Sequence, residues 1–214
     1  MASSNLFKIT VHGKPSHGAY PWLSVDPILV SAHIITALQS IVSRNLNVTE
    51  NAAVVTVGSI HGGNRFNIIA PSTEIEGTIR ALSVSDQEMI IAHVKRIAVQ
   101  TAEAFGATAE VYIPEGVPVN YNDPALTAKM LPALEHAVGK DNVLLVPART
   151  GAEDFAFYGQ KVPSLFFQLG GMPVGQDVAK APPHHTPAFV VEDDGLIFGV
   201  QAFVDLVVNY LEVN

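Results

Sequence analysis

The chain has no cysteine among its 214 residues, and only 15% of its residues are charged. Without cysteine it can form no disulfide bond and offers no thiolate to a metal ion, which fits a cytoplasmic location. The formal net charge is −8, and no cluster of lysine or arginine provides a surface for nucleic-acid phosphates. We therefore predict a cytoplasmic protein that binds no nucleic acid.

Long hydrophobic runs are also scarce. The apolar stretches are interrupted by polar residues and fall short of the roughly 20 residues needed to cross a bilayer. The first five residues lack the basic start and apolar core of a signal peptide. We expect a soluble protein with no membrane partner. Hydrophobic residues still make up 48% of the chain, enough for a large core, and some of that apolar surface could meet a partner.

The first half of the chain alternates strands and helices. Alternating apolar residues predict strands at 6–12, 53–60, 73–82 and 107–113. Helices are predicted at 28–42, after Asp26-Pro27, and at 85–105, where Ser85 and Glu88 would form a capping box. The order β-α-β-β-α-β is that of a ferredoxin-like domain, a sheet with two helices on one face. We place this domain at residues 1–115.

Residues 116–214 show a different pattern. Helices are predicted at 124–138, 151–158 and 192–211, whereas only the short apolar runs 143–146 and 164–169 predict strands. Strands that are apolar on both faces are typical of a parallel sheet covered by helices. Two such strands cannot form a stable sheet by themselves. We therefore predict a chain of the α/β (α+β) class whose second half is an incomplete α/β segment.

Two polar clusters near the C-terminus could belong to a metal site. Glu153-Asp154 lies beside a glycine, and His184-His185 lies in a loop bracketed by prolines. Imidazole is a common zinc ligand, and a carboxylate can orient it. Simpler explanations remain open, because acids favour the first turn of a helix and a histidine pair in a loop can simply face solvent. Adjacent histidines seldom point the same way, so we expect only one ligand from this pair.

Three residues of the first half could contact a substrate. His17 follows a strand, next to serine and glycine, and could donate a hydrogen bond to an oxyanion or be an ordinary turn residue. Asn67 and Arg80 could bind a carboxylate, since arginine offers a bidentate fork and asparagine a neutral donor. Arg80 could equally pair with Glu74 or Glu76 on its own strand.

Taken in order, these segments resemble one family. The segments 13–21, 26–27, 62–63, 67–71 and 76–80 are similar to the dimerisation ("lid") domain of the zinc-dependent amidohydrolases. That family includes aminoacylase, hippurate hydrolase, auxin-conjugate hydrolase, glutamate-releasing carboxypeptidase and succinyl-diaminopimelate desuccinylase. Residues 151–155 and 185–193 resemble the last part of its catalytic domain. The resemblance covers almost the whole chain, and the auxin-conjugate and hippurate hydrolase branch fits best.

The resemblance implies roles for individual residues. His17 would reach into the active site of the partner subunit of a homodimer and stabilise the oxyanion there. Asn67 and Arg80 would grip the substrate carboxylate, also across the dimer. His185 would be a metal ligand and Glu153 would support it. The implied reaction is hydrolysis of the amide bond of an N-acyl amino acid or a small peptide.

The same resemblance implies a divided metal centre. The family's full site holds two zinc ions, or manganese or cobalt, and most of its ligands and its general base lie in a segment that would precede Met1. Only His185, with His184 as the alternative, has a counterpart among those ligands here. Residues 116–214 would then be the C-terminal part of the catalytic domain. We expect this chain alone to be inactive and to bind no metal, and whether it is itself an enzyme stays open.

Two other hypotheses remain open at this point. The chain could be a non-catalytic dimerisation or binding module that acts with a separate catalytic piece. A weaker alternative is a mononuclear metal site built from His184, His185 and Glu153.

Overall fold

The structure is a computed structural model that describes residues 1–173 and 175–212. It divides into two compact units. The first contains Met1–Asn120 and Ala148–Gln160, and the second contains Tyr121–Pro147 and the described residues from Lys161 onward. The first unit thus contains the predicted domain 1–115 and continues to Asn120. It also takes in residues 148–160, because the backbone amide of Ala2 donates to the carbonyls of Arg149 and Gly151, each at 3.0 Å.

The first unit confirms the ferredoxin-like order. Its strands are β1 (Asn5–His12), β2 (Ser16–His17), β3 (Ala53–Gly62), β4 (Ile68–Ile69), β5 (Ser72–Ala81) and β6 (Thr108–Tyr112), and its long helices are α1 (Pro27–Leu38) and α2 (Val84–Ala104). Four strands form an antiparallel sheet in the order β3-β5-β1-β6. The two short strands β2 and β4 form a separate ribbon.

The core of the first unit lies between the sheet and the two helices. β1 buries alternate residues, Phe7, Ile9 and Val11, as its sequence pattern predicts. The inward residues of β5 and the inner faces of the helices complete this cluster. Gly77 on β5 pairs with Phe7, and a Cβ at this position would clash with the Phe7 ring and the Thr56 carbonyl. The aromatic ring therefore fills space that only glycine leaves free.

The start of α2 differs from the prediction. Ser83, not Ser85, is the N-cap: its side chain accepts a hydrogen bond from the Asp86 amide at 3.1 Å. Ser83 has the extended backbone that a cap requires (φ −131°, ψ 154°), whereas Ser85 already lies in the first turn. The capping box predicted for Ser85 and Glu88 is therefore wrong by two positions.

Replacing Ser83 by alanine should lower the free energy of unfolding of the first unit by about 1 kcal/mol, because α2 would lose its side-chain cap. The matched control is Ser85→Ala, which should change this free energy by less than about 0.5 kcal/mol. Urea denaturation followed by circular dichroism measures both. Equal losses for the two variants would contradict the cap at Ser83.

The second unit consists mainly of two packed helices, α3 (Pro124–Val138) and α5 (Leu196–Glu212); the short helix α4 (Ala156–Gly159) lies in the first unit. Asp123 caps α3 as predicted and accepts from the Leu126 amide at 2.7 Å. Between the helices, His136 Nδ1 lies 2.9 Å from Asp205 Oδ2. The hydrogen bond from His136 holds the pKa of the Asp205 carboxyl below its ordinary value.

The two strands predicted in the second half are wrong. Residues 143–146 and 164–169 join no ladder in the part of the chain that the structure describes. Phe166 is held instead by the Asn122 side chain, which donates to its carbonyl at 2.8 Å and accepts from its amide at 2.9 Å. Leu145 is fully exposed. A strand of this type needs neighbouring strands for its backbone hydrogen bonds, and the described residues supply none.

Two helical stretches, Pro27–Asn45 and Asp193–Glu212, are long and apolar enough to cross a membrane by length and composition alone. This corrects the expectation that no apolar stretch approaches that length. The first stretch begins with α1, which buries Val30, Ile34 and Leu38 against the sheet, as a core helix does. The second contains α5, most of whose large apolar side chains are exposed.

Candidate functional site

His17 and Asn67 lie together at one end of the first unit. The β2–β4 ribbon pairs His17 with Ile68, and the Gly18 amide donates to the Asn67 carbonyl at 2.8 Å. A Cβ at Gly18 would lie 3.2 Å from that carbonyl oxygen, so a larger residue would push the two segments apart. The ribbon therefore joins two predicted site residues that are distant in sequence.

The imidazole of His17 is set up to donate a hydrogen bond outward. Its Nδ1 accepts from the Ala19 amide at 3.1 Å, and the side chain is exposed. A neutral imidazole that accepts at Nδ1 carries its proton on Nε2. That N–H is the kind of donor that stabilises an oxyanion. If His17 were only a turn residue, its hydrogen bond at Nδ1 would be explained. Its Nε2–H would still be able to donate to a substrate.

A loop of residues 62–66 flanks Asn67 and opens a shallow depression. The depression has a volume of about 430 Å³ and is lined by Gly18, this loop and the neighbouring Ile68 and Ile69. Gly63 has φ +80°, a backbone conformation that strains other residues. The loop thus presents polar and aromatic groups beside His17 and Asn67.

Arg80 lies at the opposite end of β5. The other end of β5 carries the ribbon, since Ser72 pairs with His12 and the Gly13 amide donates to the Pro71 carbonyl at 2.9 Å. Eight residues along the strand, at about 3.3 Å each, place Arg80 about 26 Å from Ser72. A single protomer therefore cannot bring Arg80 and Asn67 to the same small carboxylate.

The alternative pairing of Arg80 within its strand is not formed. Glu74 binds Lys8 instead, with 2.6 Å between the Lys8 amine and the carboxylate, and this hydrogen bond raises the pKa of Lys8. Among the described residues Arg80 forms no ion pair with Glu76 either. The half-buried Arg80 guanidinium is thus available to an anionic ligand.

Glu153 lies at the same end of the first unit as Arg80. The Ser3 amide donates to the Ala81 carbonyl at 2.8 Å, and Ala2 binds the backbone of residues 149 and 151. Glu153 is half-buried, and its side chain takes part in no ion pair among the described residues. The predicted helix at 151–158 is reduced to α4, four residues that start after Glu153 and have no side-chain cap. Helix capping therefore does not explain this carboxylate.

His184 and His185 lie in an exposed loop of the second unit. The Thr186 hydroxyl donates to the Pro183 carbonyl at 2.8 Å, which closes a turn around the pair. The His184 ring packs on Phe189 with 4.5 Å between centroids. His185 has φ 64°, the one positive value among the described residues other than glycine. Such backbone strain clusters at functional sites, so His185 remains the better ligand candidate of the two.

The predicted metal ligands do not form a cluster. Within residues 1–173 and 175–212, no group of three or more histidine, aspartate or glutamate side chains could hold a metal ion. Glu153 belongs to the first unit and both histidines to the second. The structure therefore does not support the mononuclear site proposed from His184, His185 and Glu153.

Comparison with known families identifies the domain that carries these residues. A model of the M20 peptidase dimerisation domain matches residues 3–105, the part that holds the sheet, His17, Asn67 and Arg80. Residues 3–105 are an M20 peptidase dimerisation domain. The resemblance noted from the sequence motifs is thereby confirmed.

The relatives of this M20 chain are hydrolases of about twice its length. It is 35% identical over 195 residues to an uncharacterized hydrolase, y4tI, of Sinorhizobium fredii, and covers 47% of it. It is 33% identical over 214 residues to N-acetylcysteine deacetylase of Bacillus subtilis, with 99% of this chain and 53% of the deacetylase aligned. The chain spans about half the length of the curated relatives it matches.

One solved structure adds information on metal use. The Bacillus subtilis YXEP protein is a dinuclear metal-binding peptidase of the M20 family. It superposes on 99% of this chain with a TM-score of 0.73 at 29% identity, and this chain covers 51% of it. Binding of two metal ions is therefore a property of a structural neighbour of this chain.

Sequence reasoning missed one feature near the candidate site. The rings of Tyr20 and Trp22 meet edge to face at 5.6 Å, and His17 lies 5.7 Å from Tyr20. The available signal was the Tyr-Pro-Trp-Leu run that begins three residues after His17, which is unusually apolar for a loop. An exposed aromatic group beside a candidate catalytic histidine marks this end of the domain as a contact surface.

Proposed function

We propose that this M20 chain is the C-terminal portion of a metal-dependent amidohydrolase that acts as a homodimer. Its substrates would be N-acyl amino acids or small peptides, whose amide bond is cleaved. The observation that carries the proposal is the position of His17, whose Nδ1 is occupied by the Ala19 amide and whose ribbon partner is next to Asn67 on the dimerisation domain. The cytoplasmic location stays a prediction.

The separation of the candidate residues favours a site shared by two protomers. His17 and Asn67 lie at one end of the sheet, and Arg80 and Glu153 at the other, about 26 Å apart along β5. An N-acyl amino acid is much smaller than this. One protomer would therefore contribute Arg80, and its partner would contribute His17 and Asn67, which revises the expectation that Asn67 and Arg80 act from the same side.

Each residue would have a distinct role in such a site. The Nε2–H of His17 would donate to the oxyanion that develops on the amide carbonyl. The Asn67 amide and the Arg80 guanidinium would bind the substrate carboxylate and fix its orientation. These interactions hold the scissile bond in place, and His17 strengthens its hydrogen bond as negative charge develops.

The described residues of this chain form no metal cluster by themselves, but an imidazole is a ligand that zinc and manganese accept. A bound metal ion would supply a Lewis acid and an activated water. His185 would be one of its ligands, since an exposed imidazole without a ring partner suits these ions. The family resemblance assigns Glu153 the support of His185. Because the two residues lie in different units, that role stays a prediction.

The second candidate function is a non-catalytic dimerisation module that binds a separate catalytic piece. The second unit favours some such partner, because α5 buries only Ala202 and exposes a series of large apolar side chains, Leu196, Ile197, Phe198, Val200, Phe203, Val204, Val207, Val208 and Leu211. An exposed apolar surface of this size usually marks a contact with a partner. The unpaired segment 143–146 gives the same indication.

One experiment separates the two candidates. The chain is assayed for hydrolysis of an N-acetyl amino acid with added zinc or manganese, alone and after co-expression with the N-terminal half of a relative. We expect no turnover by the chain alone and metal-dependent turnover by the assembled pair. Assembly without turnover would favour the non-catalytic module, and turnover by the chain alone would contradict the divided site.

A further inference from the structure

Arg65 lies next to the candidate site and has no role in the proposal so far. The Ile68 amide donates to the Arg65 carbonyl at 3.3 Å, which closes a β-turn over residues 65–68. Asn67 belongs to the same turn, and Ile68 is the ladder partner of His17. The first and last Cα atoms of a β-turn lie within about 7 Å of each other. The Arg65 side chain therefore leaves the backbone close to both His17 and Asn67.

Arg65 also lines the depression beside His17. Gly62 and Gly63 form part of the wall, and neither has a side chain that could fill the space. Arg65 is exposed, so a small molecule can reach its guanidinium. A concave site with a few well-placed polar groups is the usual form of a small-molecule pocket, and those groups give it specificity.

None of the described carboxylates forms an ion pair with Arg65. Asp26 lines the same depression, but its Oδ1 accepts from the Ile28 amide at 2.9 Å and caps α1. The positive end of the α1 dipole compensates this negative charge. Glu74 lines a second hollow that Arg65 also borders, but Lys8 binds the Glu74 carboxylate at 2.6 Å. The charge that remains uncompensated in the depression is therefore positive.

The position of Arg65 indicates which part of the substrate it would meet. In the proposed site Asn67 binds the carboxylate of the amino acid, and His17 donates to the amide carbonyl. The amino-acid side chain leaves the carbon atom that carries this carboxylate. Because Arg65 and Asn67 share one turn, that side chain is the variable part of the substrate closest to Arg65. A guanidinium group binds a carboxylate through two parallel hydrogen bonds.

We propose that Arg65 selects N-acyl amino acids with an acidic side chain, such as glutamate, by binding the side-chain carboxylate in this depression. This rests on the proposed function and deepens it by naming the substrate class. In the shared site Arg65 acts from the protomer that contributes His17 and Asn67. A neutral side chain of the same size leaves the guanidinium without its charged partner, so the site discriminates against it.

The completed enzyme, formed by this chain and the N-terminal half of a relative, is assayed with N-acetyl-glutamate and N-acetyl-glutamine. These substrates have nearly the same shape and differ in the charge of the side chain. We expect kcat/KM to be about 10–100-fold higher for the glutamate substrate, the effect of one charge-assisted pair of hydrogen bonds. Steady-state kinetics measure this ratio.

Variants of Arg65 test whether this residue sets the ratio. Arg65→Gln should reduce it to about threefold or less, because the charge is lost. Arg65→Lys should keep an intermediate preference, since lysine retains the charge but not the bidentate fork. The matched control is Arg44→Gln. Arg44 is an exposed arginine beyond the other end of α1, a helix of 12 residues that spans about 18 Å, so this variant should keep the full ratio.

The possible outcomes separate the role of Arg65 from the proposed function. Turnover of both substrates at equal kcat/KM, or an equal fall of the ratio in Arg65→Gln and Arg44→Gln, would overturn the selection by Arg65 and leave the amidohydrolase intact. An Arg65-dependent preference for N-succinyl-alanine over N-butyryl-alanine, without a preference for the glutamate side chain, would place Arg65 on the acyl side and overturn the assignment. No turnover of any N-acyl amino acid by the assembled pair would overturn the proposed function and this proposal with it.

Discussion

Replacing His17 by alanine in the enzyme completed with an N-terminal half should lower kcat about 10²–10³-fold, because one oxyanion donor would be lost. KM should change little, since this hydrogen bond strengthens only as charge develops on the carbonyl. Steady-state kinetics with an N-acetyl amino acid measure both values.

His12→Ala is the matched control for the His17 variant. His12 is another exposed histidine of the first unit, and its Nε2 lies 3.5 Å from Glu110, on the sheet rather than on the ribbon. This variant should retain nearly full activity. An equal loss of kcat in both variants, or a change in KM alone for His17→Ala, would contradict the oxyanion role.

Phe7→Ala should lower the free energy of unfolding of the first unit by about 3–5 kcal/mol. The ring is fully buried, and it packs over Gly77, where no side chain can move in to fill the cavity. The matched control is Leu6→Ala on the same strand, where the side chain is 47% exposed on the other face of the sheet.

Urea denaturation of the two variants distinguishes the faces of β1. Leu6→Ala should cost less than about 1 kcal/mol, because an exposed side chain leaves no cavity. Similar losses for the two variants would mean that the core does not lie on the Phe7 face. The fold that positions His17 and Arg80 would then be wrong as well.

The first half of the fold could be predicted because its signals are local. Alternating residues such as Phe7, Ile9 and Val11 define a strand without knowledge of its neighbours, and Asp26 caps α1 as its sequence indicates. The sequence does not distinguish the two candidate N-caps of α2, because Ser83 and Ser85 each precede an acidic residue by three positions. Only the backbone conformation decides between the two serines.

The second half could not be predicted in the same way. A strand such as 164–169 exists only if other strands bind its backbone, and that condition is not encoded in the segment itself. The inclusion of residues 148–160 in the first unit depends on the backbone of Ala2, which has no sequence signal. Both features depend on non-local contacts.

The sequence identified the residues of the candidate site but not their positions relative to one another. His17 and Asn67 meet through a ribbon with two residues in each strand, too short for any periodic pattern. The distance between Asn67 and Arg80 was accessible in principle, because counting residues along β5 already separates its ends by about 26 Å. This count is what indicates a site shared between protomers.

The most direct test of a shared site mixes two inactive variants of the completed enzyme. His17→Ala removes the oxyanion donor, and His185→Ala removes the proposed metal ligand. Random reassociation makes about half of the dimers mixed, each with one complete site if His17 acts across the dimer, so about a quarter of the wild-type activity should return. If both residues serve the site of their own protomer, no mixed dimer has a complete site. A mixture that stays inactive, with mixed dimers confirmed by native mass spectrometry, would contradict the account.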